Sequence, residues 1–144
     1  MSPKWLTSLV RARQVQEDAA KQQLATAQRL ASRAHARVRY DAARLDSLLQ
    51  AGAQGNAPAF VAAAVALQAA AATHAAAIRA ADDAVKTVDG KRGDLGDAAV
   101  ARRSVEEMHD RHTAVERARA AATAQRETDE IAARVHRSTA EDRA

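Results

Sequence analysis

Glu106, His109 and His112 are the residues whose types and spacing could do chemistry. Side chains three positions apart project from one face of a helix, and carboxylate and imidazole groups held that way can bind zinc. The sequence offers no clear third and fourth ligand, and the neighbouring Asp110 and Arg111 are typical of a charged helix surface. We therefore expect no metal site here and no cofactor.

The segment Gly90-Lys91-Arg92-Gly93 is the nearest approach to a catalytic motif. It lacks the spacing of a phosphate-binding loop, and the chain has no serine elbow, dinucleotide glycine motif or paired catalytic carboxylates. The sequence therefore predicts a non-enzymatic protein without a small-molecule substrate.

The composition favours helices that pack closely. Among 144 residues, 41 are alanine, while Trp, Phe and Tyr occur once each. Alanine has the highest helix propensity but buries little area, and a chain of this length forms one structural unit at most. There is no cysteine, and the N-terminal residues lack the apolar run of a signal peptide.

Two ladders of mostly apolar residues alternate in steps of three and four, which places one stripe on each of two helices. The first ladder is Leu6, Val10, Arg13, Glu17, Ala20, Leu24, Ala27, Ala31, Ala34, Val38, Asp41, Leu45, Leu48. The second is Phe60, Ala64, Leu67, Ala71, His74, Ile78, Ala81, Val85, Val88, Arg92, Leu95, Ala99.

Folding the chain back between the ladders pairs residues whose numbers sum to about 108 or 109. In this register Glu17 faces Arg92, and His74 faces Ala34 as a packed filler. The predicted fold is all-α: a long antiparallel two-helix coiled-coil hairpin with a C-terminal helical extension. Its predicted seam residues are Leu24, Val38, Leu45, Leu48, Phe60, Leu67, Ile78, Val85 and Val88.

The predicted boundaries form one coiled-coil unit over 1–144. Helix one spans about 2–50, with Ser2 as N-cap and Pro3 at the first helical position, followed by a turn at 51–57. Helix two spans about 58–140 and is capped by Asn56.

The segment 89–97 is a weak point, because three glycines cost a helix about 3 kcal/mol relative to alanine. Helix two either continues through it or breaks, with a third helix beginning near Asp97. In the predicted register, residues from about 104 to 140 have no partner on helix one. They form either an overhanging arm or a third helix packed on the hairpin.

No charged residue occurs from Ser47 through Ile78, and alanine dominates 59–78. A transmembrane helix is not expected, because alanine is nearly neutral on insertion scales and Gln68, Thr73 and His74 add cost. Off-seam alanines form an uncharged face that reflects either helix propensity or a docking surface for another protein. The residues assigned to that surface are Ala62, Ala66, Ala69, Ala70 and Ala77.

Helix one is the basic element, with Arg29, Arg33 and Arg37 in an i, i+4 row. The row is either a solvated face or a contact for an acidic protein. Nucleic acid is not expected as a partner, because few aromatic residues are available for base stacking.

The chain resembles the flagellar export protein FliJ family in its opening, where Leu6, Leu9 and Arg13 follow an L-x-x-L-x-x-x-R pattern. The closing stretch at 125–132 follows a second family pattern, Q-[RK]-E-x-D-E-x-A. The residues that match it are Gln125, Arg126, Glu127, Asp129, Glu130, Ile131 and Ala132.

The resemblance implies a cytoplasmic coiled-coil stalk in flagellar type III export, peripheral to the inner face of the cell membrane. It also implies three partners: the export ATPase through the closing motif, the cytoplasmic domain of the export gate, and export chaperones. Gate contact in the family is associated with the start of the second helix. This chain is almost wholly alanine there, so no individual gate residue is carried over.

An alternative function remains open at this point. Residues 104–140 could pair with their own copy, which would make the chain a self-associating structural coiled coil unrelated to flagella.

Overall fold

The computed structural model describes residues 3–52 and 54–141, except for the side chain of Glu141. Within these residues there are two helices, α1 (Lys4–Ala51) and α2 (Ala57–Glu141), and no strand. The prediction of an all-α helical hairpin is confirmed. The predicted N-cap Ser2 lies outside the described residues.

The turn between the helices is built from glycine and a capping asparagine. Gly52 (φ 62°) and Gly55 (φ 117°) adopt positive φ values that side-chain-bearing residues rarely reach. Asn56 caps α2, because its Oδ1 accepts a hydrogen bond from the Ala59 amide at 3.1 Å. The cap therefore begins α2 where the sequence predicts it.

The chain divides into two compact units, residues 16–99 and residues 1–15 with 100–144. The assignment of 1–144 to one coiled-coil unit stays a prediction.

Small side chains form the core of the 16–99 unit. Ala27, Ala31 and Val88 are buried together, and Leu24 and Ala84 pack against them. An alanine at the contact lets two helix backbones approach closely, so the helices gain dispersion contacts although each side chain buries little apolar area. Tight helix packing therefore compensates for the lack of large apolar residues.

The observed register differs from the predicted one. Ala27 packs with Val88, and Lys91 Nζ donates a hydrogen bond to Gln23 Oε1 at 3.1 Å, so the numbers of facing residues sum to about 115. The sequence-based register was thus wrong by about seven residues. A seam that repeats every seven residues looks the same after a shift of one heptad, so apolar pattern alone does not select among such registers.

The stripe of α2 was also partly wrong. Phe60, Ile78 and Val85 were assigned to the seam, but they are 63%, 41% and 40% exposed. Ala70 and Ala77 are buried instead. They lie one helical turn before His74 and Ala81, two positions of the predicted ladder that are half-buried and buried, respectively. Sequence reasoning favoured the larger residues for burial, whereas the close approach of the helices selects alanine.

By contrast, every position of the predicted α1 ladder is buried or half-buried, including Leu24, Val38, Leu45 and Leu48.

Glu17 and Arg92 do not pair as expected. Arg92 is 62% exposed and forms an ion pair with Asp89 at 3.0 Å. Glu17 is buried and pairs with Lys21 at 2.9 Å. The hydrogen bond to Glu17 and its negative charge raise the pKa of Lys21 above its usual value. The register shift moves Arg92 next to residues 28–35 of α1, beyond the reach of Glu17.

In the unit formed by 1–15 and 100–144, Leu6 and Val105 are buried. Half-buried positions recur along α2 as far as Glu116, and every residue from 117 through 140 is exposed. The expectation that α2 is unpartnered from about 104 was therefore wrong by about twelve residues, because the actual register pairs more of α2 with α1. We call residues 117–140 the arm.

Helix α2 is continuous through 89–97, so no third helix begins near Asp97. A Cβ added at Gly90, Gly93 or Gly96 would meet no atom within 4 Å. These glycines therefore serve neither a turn nor a close contact in the described structure.

We predict that cysteines replacing Ala27 and Val88 form a disulfide within one chain, whereas cysteines replacing Leu24 and Val85 do so much less efficiently. The two registers differ by about 10 Å along the helix axis, which exceeds the span of a disulfide. Non-reducing electrophoresis with mass spectrometry measures both. Preferential crosslinking of the Leu24/Val85 pair would restore the sequence-based register.

We predict that replacing Gly90, Gly93 and Gly96 with alanine raises the free energy of unfolding by about 2–3 kcal/mol, because alanine favours the helix and meets open space. Urea unfolding followed by circular dichroism tests this. As a control, Gly52→Ala should lower stability by about 1 kcal/mol, because its φ is positive. A triple variant less stable than the parent would show that the glycines have a structural role.

Candidate functional site

The arm carries the closing motif on a helix that is exposed on all sides. Gln125 Nε2 donates a hydrogen bond to Asp129 Oδ1 at 2.8 Å, and Glu130 forms an ion pair with Arg134 four residues later. These contacts lie within the helix and stabilise it by a few tenths of a kcal/mol each. Because none joins the arm to another element, the motif is accessible over its whole length.

Several exposed arm side chains are not engaged by the rest of the described structure. Arg126 and Glu127 have no ion-pair or hydrogen-bond partner within the described part of the chain. Ile131 and Val135 lie one helical turn apart and are 62% and 57% exposed. An apolar pair flanked by free charges of both signs is a combination that suits a helix-in-groove contact.

The alanine surface predicted near the turn divides into two parts. Ala62, Ala66 and Ala69 are exposed, as a docking surface requires. Ala70 and Ala77 are 5% and 9% exposed, so assigning them to a partner-binding face was wrong. Both lie in the seam, because the buried face of α2 includes these alanines.

The basic row on α1 is solvated. Arg29 donates a hydrogen bond to Thr26 at 3.1 Å, and Arg33 is exposed. Arg37 pairs with Asp41 through Nε and Oδ2 at 2.8 Å and lies 5.4 Å from the centroid of the Tyr40 ring. The row remains available for acidic groups, and Arg29 and Arg33 border a wide, open depression on the surface of α1.

The residues considered for metal chemistry are engaged locally. Glu106 forms an ion pair with Arg102, and His109 Nδ1 lies 3.6 Å from Asp110 Oδ1. His112 is half-buried. In residues 3–52 and 54–141, no group of three or more metal-ligating side chains is arranged to hold an ion.

Helix α2 is, by length and composition, long and apolar enough to cross a membrane. Only a small share of its most apolar window is buried inside the structure. That window therefore presents its side chains to the surroundings rather than to a protein core.

The comparisons with known proteins complete the description of the site. A family model described as the flagellar FliJ protein matches residues 3–141, nearly the whole chain. The chain belongs to the FliJ family. No curated protein and no solved structure gives a significant match. Membership in the FliJ family gives the chain a role related to flagellar protein export, in a family that is not catalytic.

One feature of this FliJ-family chain was missed from the sequence. Asp41 Oδ1 and His74 Nδ1 are buried and have no hydrogen-bond partner within the described residues. The observed register places Asp41 on α1 level with His74 on α2, forming a polar layer in the seam. The sequence contained an indication of this layer, because Asp41 and His74 are polar residues in otherwise mostly apolar ladders. Shifting the predicted register by seven residues brings the two side by side.

We predict that replacing Asp41 and His74 together with leucine raises the free energy of unfolding by about 1–4 kcal/mol, because apolar side chains replace two buried polar ones. Arg37 is 58% exposed and remains solvated without Asp41. Urea unfolding at neutral pH measures the change.

The matched control replaces the exposed Asp46 and His35 with leucine and should change stability by less than about 0.5 kcal/mol. A double seam variant less stable than this control would show that the polar layer is satisfied, for instance by ordered water.

Proposed function

We propose that this protein is a coiled-coil stalk and chaperone of flagellar type III export that links the export ATPase ring to the export gate. It would thereby serve flagellum assembly, and through it motility and chemotaxis. The observation that carries the proposal is the fully exposed arm, which presents the closing family motif in a FliJ-family chain.

The arm is the contact we assign to the ATPase. A helix that packs against nothing has little stability of its own, so burial of Ile131 and Val135 against a partner would both order the arm and bind it. Arg126 and Glu127 would set orientation, because charged groups beside an apolar contact favour one alignment over others. The motif residues on the same turns would complete this surface.

The gate is the partner we assign to the exposed alanines Ala62, Ala66 and Ala69. Alanine offers little area per residue, which favours a weak and reversible contact rather than a permanent one. Such a contact suits a component that couples two larger assemblies. Export chaperones are further candidate partners through the basic row of α1. The protein would act in the cytoplasm, at the inner face of the cell membrane.

We predict that the full-length chain binds purified export ATPase and that a truncation ending at Glu116 does not. Ile131→Gln with Val135→Gln should weaken binding about tenfold or more, since each tenfold corresponds to about 1.4 kcal/mol. Pull-down followed by isothermal titration calorimetry measures both. The matched control is Val15→Gln with Val100→Gln, because these valines are equally exposed but lie outside the arm.

Equal binding by the truncation would remove the arm from the contact. A stable oligomer formed by the isolated full-length chain, together with no binding to the ATPase, would instead support self-association of the arm.

A further inference from the structure

The end of the hairpin at the turn is uncharged and exposes large apolar side chains. We call residues 47–52 and 54–68 the turn end. Leu49, Phe60, Val61 and Val65 are 57–63% exposed there. A shallow cavity of about 190 Å³ opens beside Leu49 and Phe60, and Leu48 and Leu67 also line it. Large apolar groups clustered in an uncharged region indicate a surface that is covered by something else.

Basic residues lie directly behind this apolar end. In the observed register, residues 34–46 of α1 lie level with residues 69–81 of α2. These segments hold four arginines and two aspartates, and one of the aspartates, Asp41, is buried against Arg37. Arg39, Arg44 and Arg79 are exposed, and so is the amphipathic ring of Tyr40. The exposed charge next to the turn end is therefore mostly positive.

We propose that the turn end inserts into the interface of a bilayer that contains anionic phospholipid. Apolar side chains at the end enter the boundary between headgroups and acyl chains, and the arginines behind them contact lipid phosphates. Interfacial segments bind in this way, with an apolar part buried about 5–10 Å and basic residues at headgroup level.

The dimensions of the turn end fit this depth. The part of α2 that belongs to the turn end, residues 57–68, is roughly 18 Å long, which reaches through the headgroup region but does not span the hydrocarbon core. Uncharged residues continue along α2 to Ile78, but charged residues of α1 lie level with them. On α1, Asp46 and Arg44 mark the limit of insertion, because a charged group is costly in hydrocarbon. The chain therefore lies at the membrane surface and does not cross it.

For the large apolar side chains of the turn end, charge complementarity favours lipid over a protein partner, whereas the gate contact proposed above uses the small alanines Ala62, Ala66 and Ala69. The exposed side chains of the turn end that are not apolar are neutral amides and a hydroxyl, which specify no particular partner. A bilayer requires only apolar area and opposite charge, and both are present. This inference does not depend on binding to the ATPase or to the gate.

The test is flotation of the purified full-length protein with vesicles of phosphatidylcholine containing roughly one third phosphatidylglycerol, a proportion that gives a negative surface potential. We expect binding to these vesicles, much weaker binding to pure phosphatidylcholine, and loss of binding at high salt. Phe60→Gln, Val61→Gln and Val65→Gln together should lower partitioning at least about tenfold, since these side chains supply the buried apolar area.

Two controls keep the test independent of folding. Glutamine replacing Val15, Val100 and Val115 removes three exposed valines from the other compact unit and should leave vesicle binding unchanged. Circular dichroism should show full helicity in both triple variants, because glutamine is at least as good a helix former as valine.

A fluorescent reporter locates the insertion. In the variant Trp5→Phe with Phe60→Trp, emission should shift to the blue on vesicle addition and be quenched by brominated acyl chains. Native Trp5, which is 62% exposed, should show neither change.

Several results would overturn the proposal. One is that the protein does not float with anionic vesicles. Another is that the Phe60, Val61 and Val65 triple variant floats as well as the parent protein. Self-association lost in that variant without vesicles would assign the surface to a second copy. Loss of gate binding without any vesicle binding would assign it to the gate.

Discussion

Close packing of alanine between two antiparallel helices is the interaction on which the rest of this structure depends. Ala27, Ala31 and Ala84 pack with Val88 where the helices meet. Without aromatic residues to fill a wider core, the helices are held by many short contacts spread along the seam. One consequence is that larger apolar residues, such as Ile78 and Val85, remain at the edge of the seam and half in solvent. Another is that stability is distributed along the pair, with no single large side chain dominating it.

The same seam determines which surfaces are free. In the antiparallel pair, the first turns of α1, which begins at Lys4, pack against α2 only as far as Glu116, so residues 117–140 have no packed partner among the described residues and form the arm. At the turn, the residues at the end of α1 and at the start of α2 are uncharged, and their outer faces stay exposed. The protein therefore presents two chemically different surfaces: a charged helix with an apolar pair, and an uncharged apolar end bordered by arginine. Both are suited to association and neither to catalysis, which agrees with membership in the FliJ family.

The sequence predicts much of this fold for identifiable reasons. Burial along α1 follows the predicted ladder, and Asn56 caps α2, because steps of three and four and a capping residue act locally. Register is a long-range property, and a shift of one heptad preserves nearly every apolar pairing. The misassignment of Phe60, Ile78 and Val85 arose because residue size was taken as a guide to burial. In this seam, position on the buried stripe of α2 decides burial, so Ala70 and Ala77 are buried while the larger Ile78 and Val85 are not. The sequence predicts that the C-terminal part of α2 is unpartnered. It does not predict the residue at which that part begins, because this residue depends on the register.

Polar residues in the seam have a cost and a consequence. Asp41 and His74 leave buried atoms without partners within the described residues, which lowers stability relative to an apolar layer. Polar groups at such positions can select one register among similar ones, as a buried asparagine does in other coiled coils. We infer that this layer contributes to the choice of register, since the observed pairing is the one that brings the two residues level.

Hydrogen exchange measured by mass spectrometry, on the full-length chain alone and with the export ATPase, shows whether the arm is a free helix that a partner orders. We predict that the seam in residues 16–99 exchanges slowly in both samples. We also predict that residues 117–140 exchange rapidly in the isolated chain and become protected when the ATPase is added. Protection of 117–140 in the isolated chain, or unchanged rapid exchange in a sample where the ATPase is bound, would show that the arm is not the ATPase contact.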